Sequence, residues 1–344
     1  MRVVIAPDSF KGTATAAEVA AAVGDGWLVE RPDDDVLLAP MADGGEGTLD
    51  AFEAAGAGAV RVPVTVTGPA GSPVDTSWLR LPDGRAVVEL AATSGLPLLG
   101  DELLPDTATS AGFGEAIAAA LDAGATGLVL GIGGSASTDG GRPVLEALGY
   151  DGPGLRALPP LGVTVLTDVT SPLLGPTGAA AVFGPQKGIT PDRIASFDER
   201  LSDWAAQFPA VDPTTPGAGA AGGVGFGLLA WGATLARGAS AIAEVLGLPA
   251  LLDGADVVIT GEGRFDGQSA AGKVPVVVHS LGAAHAPTAR IMLVAGAIDA
   301  PLDDYDAAAS LTVLATQTTG EPSDALTDPL RFATIAGQRL ARMA

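Results

Sequence analysis

The chain has 344 residues, of which 47% are hydrophobic and 17% charged, and its formal net charge is −22. This composition is typical of a globular protein long enough for two domains, and the negative charge argues against nucleic acid and anionic membranes as partners. Because the chain has no cysteine, disulfides, thiolate nucleophiles and zinc–thiolate sites are excluded, which is compatible with a reducing cytosol. The apolar run at the start is interrupted at Pro7, too soon for a secretory signal, and we expect a cytoplasmic protein.

Short β-branched runs alternate with alanine-rich stretches at the start of the chain. The pattern predicts strands at Val3–Ala6 and Val36–Ala39, each followed by a helix, and Thr15 is the expected cap of the first helix. Residues 60–90 instead predict three strands with no helix between them. Further predicted elements are helices at 110–123, 139–148, 191–208, 222–235, 272–281 and 325–343, and strands at 128–130, 163–166, 256–260, 290–294 and 311–314.

The two ends of the chain share one βα rhythm, and the middle has another. We therefore predict an α/β fold in which a discontinuous Rossmann-like domain, residues 1–64 and 252–344, carries a second, inserted α/β domain, residues 65–251. The uncharged stretch Gly217–Leu235 is rich in glycine, and we interpret it as a buried helix of the inserted domain rather than a membrane span.

Lysine is rare in this chain and always stands beside glycine. Only three of the 18 basic residues are lysines, in Lys11-Gly12, Lys187-Gly188 and Gly272-Lys273. A lysine ammonium acts as a compact point charge on phosphate, whereas arginine serves equally well on a solvated face. The pattern favours phosphate-binding roles for these lysines, and chance in a glycine-rich chain is the alternative.

Carboxylates follow several predicted strands. Asp8 ends the first strand, Asp43 and Glu46 follow the second, Asp168 follows strand 163–166, and Glu262 and Asp266 follow strand 256–260. Each alone is typical of a helix cap or a turn. As a set at strand ends they indicate oxygen ligands for Mg²⁺ beside a phosphate site. Because the two histidines lie on or just past one predicted helix, we expect any general base to be a carboxylate.

Two glycine-rich segments are candidates for phosphate binding. Gly131–Ser135 leaves a strand and runs towards a helix, so its N–H groups would form an anion-binding nest, although a tight turn explains the glycines equally well. Gly217–Gly222 matches the dinucleotide fingerprint, but it follows prolines rather than a strand and lacks the required context.

Taken in order, these segments resemble the bacterial glycerate kinase family, and the resemblance covers most of the chain. It implies ATP- and Mg²⁺-dependent phosphorylation of D-glycerate at O2, giving 2-phosphoglycerate, with the active site in the cleft between the two domains. The matching segments are Pro7–Gly12, Pro40–Thr48, Gly131–Ala136, Asp139–Gly141, Thr167–Val169, Pro172–Gly175, Phe183–Gly188, Gly217–Gly223, Thr260–Arg264 with Asp266, and Gly272-Lys273.

Because phosphoryl transfer requires chiefly positioning and charge neutralisation, we assign each candidate residue a role as a hypothesis. The roles are charge neutralisation on phosphate or on the glycerate carboxylate by Lys11 and Lys187, phosphate binding by Gly133, Gly134 and Ser135, substrate binding by Ser9, proton acceptance by Asp43 or Asp168, Mg²⁺ binding or substrate orientation by Glu46, Glu262 and Asp266, and pairing of Arg264 with a carboxylate.

Two other functions stay open at this point. The βα rhythm and the Gly217 fingerprint fit an NAD-dependent dehydrogenase of a small hydroxy acid. The pairs Thr170-Ser171 and Arg142-Pro143, which depart from the family pattern, fit a non-catalytic, ligand-binding relative of the kinase. The oligomeric state is not determined by the sequence.

Overall fold

The computed structural model describes residues 1–10, 12–54, 58–151, 154–267 and 273–344. The strands are β1 (Arg2–Pro7), β2 (Asp35–Leu38), β3 (Val60–Thr67), β4 (Pro73–Arg80), β5 (Arg85–Glu89), β6 (Gly127–Gly131), β7 (Val163–Leu166), β8 (Thr234–Ala236), β9 (Val257–Phe265), β10 (Arg290–Ile298) and β11 (Ala307–Ser310). The helices are α1 (Ala16–Glu30), α2 (Thr48–Ala54), α3 (Leu90–Ser94), α4 (Ala111–Asp122), α5 (Arg142–Ala147), α6 (Ala179–Phe183), α7 (Ile194–Ala205), α8 (Val224–Trp231), α9 (Gly238–Val245), α10 (Leu248–Leu252), α11 (Val274–His285), α12 (Leu311–Thr319), α13 (Asp324–Thr327) and α14 (Pro329–Ala341).

The chain forms two compact α/β units. The first consists of Met1–Asp43, Asp50–Gly56 and Ala239–Ala344, and the second of Gly44–Leu49 and Ala57–Gly238. The α/β class predicted from the sequence is confirmed. The division differs from the expected boundaries at residues 64 and 252, because β3 pairs with β4 in the second unit and because α9 and α10 belong to the first.

The first unit is built on a parallel sheet with strand order β11-β10-β9-β1-β2. This is a doubly wound order, in which the direction of winding reverses between β1 and β9, and ligands bind at such a switch point. Thr15 caps α1 as predicted, with a capping box to Glu18. Helices α1 and α14 pack closely, since a Cβ atom added to Gly337 would overlap the carbonyl oxygen of Val23.

The second unit is built on a mixed sheet with strand order β3-β4-β5-β6-β7-β8. The β3–β4 and β4–β5 pairs are antiparallel, and β5 to β8 are parallel. Trp78, Phe113 and Phe226 are fully buried in its core. The carboxyl ends of the parallel strands lead into the glycine-rich and acidic segments singled out from the sequence.

Three predicted elements are wrong in detail. The strand expected at 311–314 is helix α12, whose Leu311, Leu314 and Ala315 are buried at helical spacing, and the strand lies just before it, in a run of small residues that carries little β signal. The helix expected at 325–343 breaks at Asp328, where Pro329 begins α14. The helix expected at 222–235 ends at Trp231, because Gly232 turns left-handed and β8 follows. Across the described residues, no helix has both the length and the apolarity to cross a bilayer.

Candidate active site

A cavity of about 440 Å³ opens in the first unit at the switch point between β1 and β9. Pro7 pairs with Gly261 in the sheet, so Asp8 and Glu262 leave neighbouring strands side by side. Both carboxylates are nearly buried, at 3% and 5% exposure. The other residues on the cavity wall are Ser9, Phe10, Thr13, Gly263, Arg264, Asp266, Lys273, Gly296, Ala297, Thr312, Ala325 and Leu326.

Basic groups balance the carboxylates of this first cavity. The Nζ atom of Lys273 lies 3.3 Å from Oε2 of Glu262. Arg264 is 68% exposed and pairs with Asp299 at 2.9 Å and with Asp266 at 3.8 Å. The buried Oγ atom of Ser9 has no hydrogen-bond partner within the described part of the chain. The cavity therefore offers hydroxyl, carboxylate and cationic groups together, a set suited to a small polar ligand.

A second cavity, of about 310 Å³, lies in the second unit beyond the carboxyl ends of β6 and β7. The amide of Gly133 donates to the carbonyl oxygen of Gly44, and that of Ala136 to Ser94, both at 3.0 Å. Between them, the amides of Gly134 and Ser135 have no acceptor among the described residues. Gly134 has φ +74°, a conformation that glycine adopts without strain. Two of the three expected nest residues thus have amides available to an anion.

Lys187 is the buried cation of the second cavity, at 2% exposure. Its ammonium donates to Oγ of Ser135 at 2.6 Å and to the carbonyl oxygen of Ser137. Burial lowers the pKa of Lys187 to about 7, and the charge of Asp139 opposes that shift. Burial also raises the pKa of Asp139, whose carboxylate accepts the amides of Ser110 and Gly141. An anion bound in this cavity would favour the protonated form of Lys187 and so oppose the effect of burial on its pKa.

The segment Gly44–Leu49 borders the same cavity and is held by a buried carboxylate. Glu89, at the end of β5, accepts the amides of Leu49 at 3.0 Å and of Gly47 at 3.4 Å. A Cβ atom on Gly133 would lie 2.5 Å from the Cα atom of Gly45, so the two glycine-rich segments touch through their backbones. Glu46, in the same segment, is exposed and lies on the cavity wall. Sequence reasoning missed Glu89, although its place at a strand end was a usable signal.

The structure divides the predicted site residues between the two cavities. Neither cavity wall, as far as the chain is described, includes Asp43 or Asp168, and Asp168 instead accepts the amide of Gly238 at 3.0 Å. Lys11 and Gly272 lie outside the described residues. The first cavity holds Ser9, Glu262, Arg264 and Asp266, and the second holds Glu46, Gly133, Gly134, Ser135 and Lys187.

No three carboxylate or histidine side chains of the described ranges form a group able to hold a metal. Glu262 is already paired with Lys273, which makes it a poor metal ligand unless that pair opens. Mg²⁺ in kinases needs only one or two carboxylates because substrate phosphates and water complete its shell. Glu46, an exposed carboxylate beside the amides of Gly134 and Ser135, fits that smaller requirement.

Gly217–Gly222 does not have the structure of a dinucleotide-binding turn. The segment follows a stretch without a strand, and Gly217, Ala221 and Gly222 all have positive φ. The fingerprint requires a strand that leads directly into the glycines. The sequence match therefore gives no support to an NAD-binding function.

The first unit has a doubly wound sheet with a cavity at its switch point. The second has a buried lysine beside two amides that find no acceptor in the described part of the chain. Such a scaffold is suited to small anionic ligands. The profile of the glycerate kinase family matches residues 3–157 and 153–344. The chain is 43% identical to a glycerate kinase of Bacillus subtilis and 42% identical to a glycerate 2-kinase of Escherichia coli, in each case over 81% of both chains. The crystal structure of a putative glycerate kinase 2 from Salmonella typhimurium covers 100% of this chain and 98% of its own, with a TM-score of 0.82 and 38% identity.

The chain therefore belongs to the glycerate kinase family, as its motifs predicted, and it is a kinase.

Proposed function

We propose that this protein transfers the γ-phosphate of ATP to the O2 hydroxyl of D-glycerate, giving 2-phosphoglycerate and ADP. The observation that carries the proposal is the buried ammonium of Lys187 beside the amides of Gly134 and Ser135, which have no acceptor among the described residues, in a member of the glycerate kinase family. In a chain of net charge −22, such a local concentration of donors suits a polyanion.

The second cavity is the proposed site of the phosphate donor. Its wall carries one exposed carboxylate, Glu46, against the ammonium of Lys187 and two amides. The first cavity carries three carboxylates, those of Asp8, Glu262 and Asp266, against the two cations of Lys273 and Arg264, so its wall is the more negative and suits a triphosphate less well. Apolar residues of the second cavity, among them Leu96, Ile132 and Phe183, offer contacts to a nucleobase. Charge and lining both favour the second cavity for ATP.

The first cavity is the proposed site of glycerate. Lys273 and Arg264 are the cations available to the glycerate carboxylate. Asp8 and Glu262 lie within the same wall, and one of them would accept the proton of the O2 hydroxyl as the new P–O bond forms and the β,γ-bridging P–O bond of ATP breaks. These two buried carboxylates replace Asp43 and Asp168 as our proposed bases, since neither Asp43 nor Asp168 lines either cavity as far as the chain is described.

Mg²⁺ is the proposed metal, and Glu46 is the residue proposed to hold it together with the donor phosphates. The bound ion would supply neutralisation of phosphate charge. Lys187 and the amides of Gly134 and Ser135 orient the phosphates independently of it. The metal role first expected for Glu262 and Asp266 stays a prediction.

Phosphorus NMR of the product from ATP, Mg²⁺ and D-glycerate tests the proposal. We expect ADP and 2-phosphoglycerate in equal amounts, with no change in nicotinamide absorbance when NAD is supplied. A product carrying phosphate at O3 would contradict the position of transfer. Binding of ATP without any product would instead favour the non-catalytic relative suggested by Thr170-Ser171 and Arg142-Pro143.

A further inference from the structure

One turn beside the second cavity holds an alanine in a backbone conformation that normally selects glycine. Ala221 has φ 56° and ψ 37°, and Gly222 and Gly223 continue in the left-handed region. Every other positive φ in the described ranges belongs to a glycine. The left-handed conformation brings the Cβ atom of an L-residue close to the following carbonyl oxygen. A glycine at 221 would remove that strain and lose only the contact of one half-buried methyl group with the core, so the methyl group is retained at a net cost to stability.

The position of the turn is fixed by the residues around Lys187. A Cβ atom on Gly222 would overlap the carbonyl oxygen of Ser137 and lie 2.9 Å from Nζ of Lys187. The carbonyl oxygen of Gly222 accepts the amide of Gly140 at 3.0 Å. Because Gly222 lies against Ser137 and Lys187 and is bonded to Gly140, the backbone of the neighbouring Ala221 has little freedom to change its conformation. Ala221 is half-buried and lies on the wall of the cavity.

We propose that Ala221 is a binding residue of the phosphate-donor site, where its methyl group narrows the cavity beside Lys187 and contacts the bound nucleoside triphosphate. The inference rests on the proposed function, because it requires the second cavity to bind the donor. The methyl group excludes water from that part of the wall and adds van der Waals contact. Loss of one buried methyl contact corresponds to about a fourfold loss of affinity.

The substitution Ala221→Gly separates the role in binding from the role in folding. We expect the Kd and the KM for ATP to rise about fourfold, while the KM for D-glycerate and kcat stay within twofold. The melting temperature should rise, because glycine relieves the left-handed strain. A merely structural residue would not combine a higher melting temperature with weaker binding of one substrate only.

Gly162→Ala is the matched control. Gly162 has φ +74°, a Cβ atom added to it meets nothing within 4 Å, and it precedes β7 at the end opposite the cavity. This variant introduces the same kind of strained alanine, so its melting temperature should fall while the Kd for ATP stays unchanged.

Calorimetric titration with ATP gives the Kd even if turnover is absent, so the two proposals fail in different ways. A wild-type protein that binds ATP but forms no phosphoglycerate contradicts the proposed function alone. An unchanged Kd for ATP in Ala221→Gly, equal changes for both substrates, or no ATP binding by the wild-type protein would overturn the role of Ala221.

Discussion

Replacement of Lys187 by methionine tests the proposed donor site most directly. The change removes the ammonium and keeps an unbranched side chain of similar length in the same buried position. The ammonium makes two hydrogen bonds, to Ser135 and Ser137, in a site with 2% exposure. Loss of one such preorganised donor to a phosphate costs about 3–4 kcal/mol of transition-state stabilisation, so we expect kcat/KM for ATP to fall about 10²- to 10³-fold.

The activity of the wild-type protein should depend on the protonation of Lys187. Its pKa is lowered to about 7, chiefly by burial, so the free enzyme loses the positive charge as pH rises through about 7. The value of kcat/KM for ATP reports the free enzyme and should therefore fall above that pH. Bound phosphate favours the charged lysine, so kcat should stay level to higher pH. In Lys187→Met, the fall in kcat/KM above pH 7 should disappear.

The same pKa predicts a pH-dependent difference in stability. The unfolded chain keeps the proton on Lys187 up to its ordinary pKa of 10.5, whereas the folded chain releases it near 7. Between these values the unfolded state binds more protons, so the folded state gains stability as pH rises, by roughly 1.4 kcal/mol per pH unit at most. The free energies of unfolding of the wild-type protein and of Lys187→Met can be measured with urea. From pH 7 to pH 9, the wild-type value should increase relative to that of Lys187→Met.

Steady-state kinetics with varied ATP and varied D-glycerate form the assay, and Lys273→Met is the control. Lys273 lines the first cavity, so its loss should raise the KM for D-glycerate and leave the KM for ATP nearly unchanged. Circular dichroism confirms that both variants fold. If Lys187→Met keeps kcat/KM for ATP within threefold of the wild type, Lys187 is a structural residue and the second cavity is not the donor site.

Three further predictions concern the proposed metal, Lys11 and the packing of α1 against α14. Activity should vanish in excess EDTA and return with Mg²⁺ or Mn²⁺ but not with Zn²⁺, because the available ligands are oxygen atoms; full activity in EDTA contradicts this. Lys11→Arg should lose at least about tenfold in kcat/KM with little change in melting temperature, because a guanidinium does not replace a compact ammonium at phosphate; near-normal kinetics would make Lys11 a surface residue. Gly337→Ala should destabilise the protein by about 1–3 kcal/mol in urea denaturation, since the added Cβ atom overlaps the carbonyl oxygen of Val23, and an unchanged midpoint would refute that packing.

The order and type of most elements could be predicted from the sequence because burial imposes a period on apolar residues. Val3–Ala6 is a continuous apolar run in a parallel strand covered on both faces, and α1 begins at a capping box that local hydrogen bonds define. The glycine-rich segment after β6 and the pairing of each lysine with a glycine are equally local features, and they mark Gly134, Ser135 and Lys187 as candidates.

Only the tertiary structure decided which candidates meet. The sequence does not show that Asp8 and Glu262, 254 residues apart in the chain, leave neighbouring strands, because strand pairing is a long-range contact. Nor does it show that Asp168 binds a backbone amide, that Glu89 holds the Gly44–Leu49 segment, or that Ala221 is left-handed.

Local sequence determined the elements, the family and the kinds of group available, because propensity, capping and burial period act over a few residues. The lowered pKa of Lys187, the acceptor-free amides and the shape of each cavity depend on packing between distant segments. Those contacts decided which lysine and which carboxylates are candidates for the chemistry.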